Sequence, residues 1–343
     1  MTFDPNATLS PQNGLFGLPH TLEQSRVVLL PVPWDVTTSY GGGTARGPET
    51  ILRASVQLDL FDLEAGEAYL KGFHMQPIPE ELSRQSQNLR PKALQIRQQL
   101  EDTGTLNESG QQLLQEINQA CERMVNWVHD QTKDTLKRGK IPGLVGGDHS
   151  TPQGAIQAIS EYFNGKFGIL HIDAHADLRQ AYQGFQYSHA SIMHNVMHAT
   201  WRPQKLVQVG VRDFCKEEYD LIRSSNDIQT FFDLELKSQL FAGTAWAPLC
   251  SQIVEHLPKQ VYVSFDIDGL SPEFCPHTGT PVPGGLSFDQ ALFLIRAVAS
   301  SGRRIIGFDL NEVAPGQDEW DGNVAARLLY KLCGWAVQTN KES

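Results

Sequence analysis

Cysteine is scarce: Cys121, Cys215, Cys250, Cys275 and Cys333 are the five in 343 residues. Their number is odd, they lie far apart and no CxxC pair occurs, so neither a zinc ribbon nor a disulfide framework is indicated. Basic residues are in the minority, 28 Lys and Arg against 39 Asp and Glu, for a formal charge of -11. Non-specific nucleic-acid binding needs clustered cations, so no nucleic-acid partner is expected. The acidic balance suits a cationic substrate instead. No apolar run approaches the ~20 residues of a membrane-crossing helix, so no membrane partner is expected. Met1 to Asn6 lacks a basic stretch leading into an apolar one. No secretory signal is therefore expected, and a reducing, cytoplasmic location follows. Internal repeats and low-complexity segments are absent too.

What is present is an alternation of strand and helix patterns. Hydrophobic residues make up 40% of the chain, enough for a large core. Strand-like apolar runs lie at 26–32, 167–172, 205–211, 228–232, 260–265 and 304–310, with a further apolar-leaning run at 141–145. Helical patterns lie at 48–55, 116–137, 190–198, 216–224, 247–256, 287–300 and 323–335, and one opens at Ser150-Thr151-Pro152. Strict alternation implies a parallel sheet with right-handed crossovers. The expected fold is a three-layer α/β/α single domain around a central, mostly parallel sheet. Residues 1–25, polar and punctuated by Pro and Gly, read as an N-terminal arm over the surface or a neighbouring subunit. Residues 26–343 read as the main domain, with a helical insertion at about 79–138 whose first part, 79–110, is polar and carries no assignable chemistry. Gly41-Gly42-Gly43 is not followed by Gly-Lys-Ser/Thr, so it reads as a turn near a pocket rather than a phosphate loop.

Three strand ends carry the chemistry. His171-Ile172-Asp173-Ala174-His175-Ala176-Asp177 places two carboxylates and an imidazole at alternate positions, where an extended chain directs them to one side. Gly146-Gly147-Asp148-His149-Ser150 and Ser264-Phe265-Asp266-Ile267-Asp268 end two other strands. In parallel sheets the ligand site lies beyond the carboxyl ends of the strands, and all of these residues fall there. Six ligands, His149, Asp173, His175, Asp177, Asp266 and Asp268, are too many for one tetrahedral zinc. They suit two divalent cations, and hard oxygen donors favour Mn2+, with Ni2+ the alternative. Asp148 reads either as the orienting partner of His149 or as a brace for the turn. His171 reads as a support or core residue. His194 and His198 lack the glutamate of a metalloprotease helix and read as surface or packing residues.

The segments GGDHS, DAHADL and SFDIDGLSPEFCPHTGTPVPGG resemble the three signature regions of the ureohydrolases, the arginase and agmatinase family of binuclear manganese enzymes. The resemblance runs from about Val27 to the end and is weakest from Glu64 to Arg138. It implies an arginase-like fold, homotrimers or homohexamers, and cleavage of a guanidino compound to urea and an amine. It implies two ions bridged by Asp173 and Asp266, with His149 and Asp177 completing one and His175 and Asp268 the other. It matches His189 to a proton-carrying histidine, Glu312 to the guanidinium-binding glutamate, Thr280 to a threonine near the nucleophile, and gives Asp177 a part in holding that nucleophile. Arg179 and Cys215 stand where arginases commonly carry Asn and Asp, which turns the reading to the agmatinase-like branch, although Arg179 remains a candidate for gripping a substrate carboxylate. Agmatine, giving putrescine, leads. Guanidine, arginine, guanidinobutyrate and formiminoglutamate remain alternatives, and a single-zinc deacetylase-like amide hydrolase is the alternative of another class. Trp34, Tyr40, Phe185 and Trp320 are expected to narrow the pocket mouth, with Asp318 and Glu319 on its acidic rim.

Overall fold

A computed structural model describes residues 3–6 and 10–340. In chain order the elements are β1 (Val27–Val32), α1 (Gly47–Ala54), β2 (Phe73–Met75), α2 (Glu80–Thr103), α3 (Glu108–Lys137), β3 (Ile141–Gly146), α4 (Gln153–Phe163), β4 (Gly168–Ile172), α5 (Ile192–His198), β5 (Lys205–Val209), α6 (Lys216–Ser224), β6 (Ile228–Phe231), α7 (Asp233–Phe241), α8 (Trp246–Glu255), β7 (Gln260–Asp266), α9 (Phe288–Ser300), β8 (Arg304–Asn311) and α10 (Trp320–Thr339). The eight strands form one sheet in the order β2-β1-β3-β8-β7-β4-β5-β6. Every pairing is parallel, so the expected sheet is confirmed and is wholly parallel.

β1, β3 and β4 are buried along their whole length, as a sheet covered on both faces requires. One face packs against α1, α8, α9 and α10, with Val27, Phe308 and Trp335 in its core. The other face is covered by α3, α4 and α5 around Ile159, Ile169, Val128 and Phe185. Ser287 caps α9 through its hydroxyl, and Gln290 returns the bond to the Ser287 amide, a capping box that sets the helix start. Asn107 caps α3 through its side chain alone, accepting from Gly110 N at 2.9 Å. No helix among the described residues is long and apolar enough to cross a membrane.

Part of the expected arm is built into the core. Leu15, Phe16 and Leu18 are buried, and the Phe16 ring meets Tyr330 edge-on at 5.0 Å and Phe73 at 6.1 Å. Residues 80–137 form two long helices, α2 and α3, cross-linked by Lys92 and Glu116 at 2.5 Å.

Candidate metal centre and substrate cavity

Four adjacent central strands, β3, β8, β7 and β4, supply the site from their carboxyl ends. His149 follows β3 and is buried at the centre. Its Nδ1 lies 2.9 Å from Asp173 Oδ2, 3.2 Å from Asp177 Oδ2 and 3.3 Å from Asp266 Oδ2. His175 Nδ1 lies 3.2 Å from Asp268 Oδ2 and 3.4 Å from Asp173 Oδ1. All six residues read from the sequence as ligands therefore converge. Two groups of donors emerge, His149 with His171, Asp173 and Asp177, and His175 with Asp173 and Asp268. Asp173 belongs to both.

The electrostatics of the cluster call for positive charge. Burial, with Asp268 and Asp173 alongside, raises the Asp266 pKa well above the usual carboxylate range. Burial and Asp173 push Asp177 up to about 6. Burial opposes the charging of His149, yet hydrogen bonds with Asp173, Asp177 and Asp266 outweigh it and hold its pKa well above 6.5. Buried anions persist only when paired or bound to a cation. Oxygen-rich donors with imidazoles suit hard divalent ions, so the residues present fit such cations.

Local backbone conformation aims two of these side chains. Asp177 and Glu312 have φ of 55° and 66°, in the left-handed region that side-chain-bearing residues seldom occupy. Such strain costs of order 1–3 kcal/mol each and collects at functional sites. Glu312 follows the end of β8, where its Oε1 accepts the His149 amide at 2.9 Å. Its Oε2 is buried with no hydrogen bond. Burial, then the neighbouring Asp148, raises its pKa well above 4.5.

A row of buried polar side chains crosses the sheet beneath the cluster. Thr230, Gln208, His171, Ser264 and Asp309 are consecutive register partners on β6, β5, β4, β7 and β8. Asp173, Asp266 and Asn311 lie two residues further along and so on the same face. Thr230 Oγ1 donates to Gln208 Oε1 at 2.9 Å, and Gln208 Nε2 donates to Ala176 O at 2.7 Å and to His171 Nδ1 at 2.9 Å. That leaves the His171 proton on Nε2, donated to Asp173 Oδ2 at 2.8 Å. Ser264 Oγ bridges His149 Nε2 at 2.9 Å and Asp309 Oδ1 at 3.1 Å. Asp148 has the bracing role: its carboxylate takes Thr37 and Ser150, while Ser264 orients His149. Gln208→Leu frees His171, the partner of Asp173, and is expected to lower metal affinity by about tenfold, the low end of the cost of losing a group that orients a ligand directly. Chelator competition measures it, and parental affinity would refute the relay.

A cavity of about 320 Å³ opens on His175 and Asp177 and is lined by His189, Thr280, Arg179, Tyr182, Ser39 and Tyr40. Thr280 Oγ1 stands 3.5 Å from Asp268 Oδ2. Burial, with His175 and Arg97 nearby, lowers the His189 pKa well below 6.5, so its imidazole is neutral. The Arg179 guanidinium lies 4.8 Å over the Tyr182 ring, with Nε 3.5 Å from Glu218 Oε2. Trp34 and Phe185, expected at the mouth, are instead fully buried in the core. Asp318 and Glu319 line a separate recess with Arg46 and Arg53, and Trp320 opens α10, so none of the three rims this cavity. Only Tyr40 of that aromatic set is at the mouth.

Comparison with known proteins agrees with this geometry. The family model described as "Arginase family" matches residues 25–334. An N(1)-aminopropylagmatine ureohydrolase of Thermus thermophilus is 33% identical over 312 residues, which cover 91% of this chain and 90% of that protein. An agmatinase of Bacillus anthracis is 27% identical, with 92% of this chain and 93% of that one covered. The crystal structure of an agmatine ureohydrolase of Thermoplasma volcanium superposes with a TM-score of 0.69 at 22% identity, covering 93% of this chain and 92% of that one. With donor cluster, wholly parallel sheet and matched length in accord, the chain belongs to the arginase family, and its relatives of agmatinase type are hydrolases of carbon–nitrogen bonds in amidines.

Proposed function

We propose that this chain is a binuclear, manganese-preferring ureohydrolase acting on a linear, cationic guanidino compound, with agmatine the leading substrate and urea and putrescine the products. The observation that carries this reading is the pair of donor groups sharing Asp173, a cluster richer than one zinc needs, whose His175 and Asp177 open on the cavity. His149, Asp173, Asp177, Asp266, His175 and Asp268 would hold the ions. When bound, such a pair of cations acidifies water and supplies a nucleophile near neutral pH.

The chain's own residues do the rest. Glu312, with one carboxylate oxygen committed to the His149 amide and the other free, holds the planar guanidinium by charge-assisted hydrogen bonds. This fixes the central carbon for attack, a gain by positioning. Asp177 Oδ2, buried 3.2 Å from His149 Nδ1, accepts a further hydrogen bond from the attacking water. His189, neutral at the cavity wall, would take up the proton released by the attacking water and pass it to the departing nitrogen. Thr280 stands beside Asp268 at the same wall, and Arg179, stacked on Tyr182 and beside Glu218, shapes the cavity rather than gripping a carboxylate. That arrangement, with Cys215 in place of an aspartate, weighs against arginine as substrate.

The test is urea release from agmatine, N(1)-aminopropylagmatine, arginine, guanidinobutyrate and guanidine, first with Mn2+ and then with Ni2+, alongside metal counting per chain. Agmatine is expected to lead, with two ions bound. Preference for the aminopropyl compound, the substrate in the Thermus relative's name, would move the assignment to that longer polyamine. Silence toward all five, or a single bound ion, would overturn the reading.

A further inference from the structure

The structure assigns a role to α2: we propose that its arginines Arg97 and Arg90 are positioning residues that clamp the loop 33–43 over the substrate cavity. Ser86, Arg90, Ala93 and Arg97 recur at intervals of four, three and four, which puts them on one face of the helix. That face meets the loop. Ser86 Oγ donates to Asp35 Oδ1 at 3.2 Å and accepts the Asp35 amide at 3.0 Å. Arg90 donates to the carbonyls of Asp35 at 3.2 Å and Gly41 at 3.0 Å, and also to that of Thr38. Arg97 forks onto the carbonyls of Thr37 and Thr38, and its Nε donates to Gln183 at 2.8 Å.

Arg97 is 4% exposed, and among the described residues it forms no ion pair with a carboxylate. Burying such a cation is costly, and an apolar side chain would fill the space at less expense. What the guanidinium provides is a rigid fork of donors for a loop whose carbonyls have no strand to pair with. The loop holds pocket residues in turn. Thr37 Oγ1 accepts the His189 amide at 3.1 Å and donates to Asp148 Oδ2 at 3.1 Å. The Ser39 amide donates to His189 Nε2 at 3.2 Å, while Ser39 and Tyr40 line the cavity. Gly41 is pinned to the opposite wall, donating to Gly279 O at 2.7 Å. A Cβ there would meet the Thr278 and Gly279 carbonyl oxygens at 2.8 and 2.9 Å, so the loop sits too close for any larger residue. The clamp thus fixes His189 and the mouth without touching the metal ligands.

The activity part of the test rests on the ureohydrolase reading above; the exchange part does not. In Mn2+-loaded protein, Arg97→Met is expected to speed amide hydrogen exchange across residues 35–43 at least tenfold. It should lower kcat/KM for the best guanidino substrate by about tenfold or more and leave the bound metal unchanged. Arg97→Lys should restore thermal stability but not loop protection, because one ammonium cannot serve two carbonyls. Arg90→Met, at a less buried position, gives the same direction and decides the matter if Arg97→Met does not fold. Exchange and kcat/KM within twofold of the parent in the arginine variants would overturn the clamp. If the parent itself releases no urea, the functional reading fails, while loop exchange still decides the clamp.

Discussion

His149→Ala is expected to abolish urea release and to leave fewer than two metal ions per chain by elemental analysis. The imidazole stands at the point where three carboxylates meet, within 3.3 Å of each. Alanine removes one of the proposed ligands and the group that keeps Asp173, Asp177 and Asp266 at a common centre. Those acids are buried, so their mutual repulsion is poorly screened. Asp266→Ala should fail in the same way. Bound metal stabilises the fold by mass action, about 2.7 kcal/mol at a hundredfold excess over Kd, so added Mn2+ should raise Tm in the parent and much less in either variant. Parental turnover with full metal in His149→Ala would refute the assignment of the centre.

Much of this centre is legible in the sequence, because period and position agree. A strand that ends in Asp-x-His-x-Asp must direct alternate side chains one way, and a parallel sheet gathers its strand ends on one edge. The six expected ligands meet for that reason. The strands are also where their apolar runs predicted, β3, β7 and β8 each running one residue further, to Gly146, Asp266 and Asn311, and β5 ending two residues earlier, at Val209.

What escaped has physical causes. α7 was not anticipated: Leu234 and Phe241 are largely exposed, so the helix carries little of the one-sided pattern that announces a packed helix. β2 is three residues long at the sheet edge, too short for a period to register. Trp34 and Phe185 were placed at the mouth because their loops are there, but a loop's location does not say which way a side chain turns. The row from Thr230 to Asp309 depends on strand order, since each member is unremarkable on its own strand and acquires meaning only beside its register partner. The arginines of α2 were hidden among many polar residues, although their 4-3-4 spacing with Ser86 and Ala93 was there to be noticed.

Glu312→Gln is expected to separate catalysis from stability. On the proposed reading the glutamate offers the guanidinium a carboxylate with one oxygen free, and the amide offers one acceptor, two donors and no charge. Losing one partner of a buried, hydrogen-bonded charge pair costs about 2–5 kcal/mol, so kcat/KM should fall by roughly 30- to 5,000-fold. Bound metal should be unchanged, because Glu312 stands outside both donor groups. Stability should move the other way. Burial raises the Glu312 pKa well above 4.5 in the folded chain. A carboxyl whose folded pKa is raised favours folding while it is protonated, fully so below the unfolded value, and that contribution is lost as pH rises through the folded pKa. Glutamine stays neutral throughout. The variant's Tm should therefore exceed the parent's at pH 8, and the gap should close as pH falls toward 4.5, measured in chelator to remove any metal contribution. A variant that lost activity and stability together across this pH range would show Glu312 to be a structural brace for the β3–β8 edge and not the guanidinium's counter-charge.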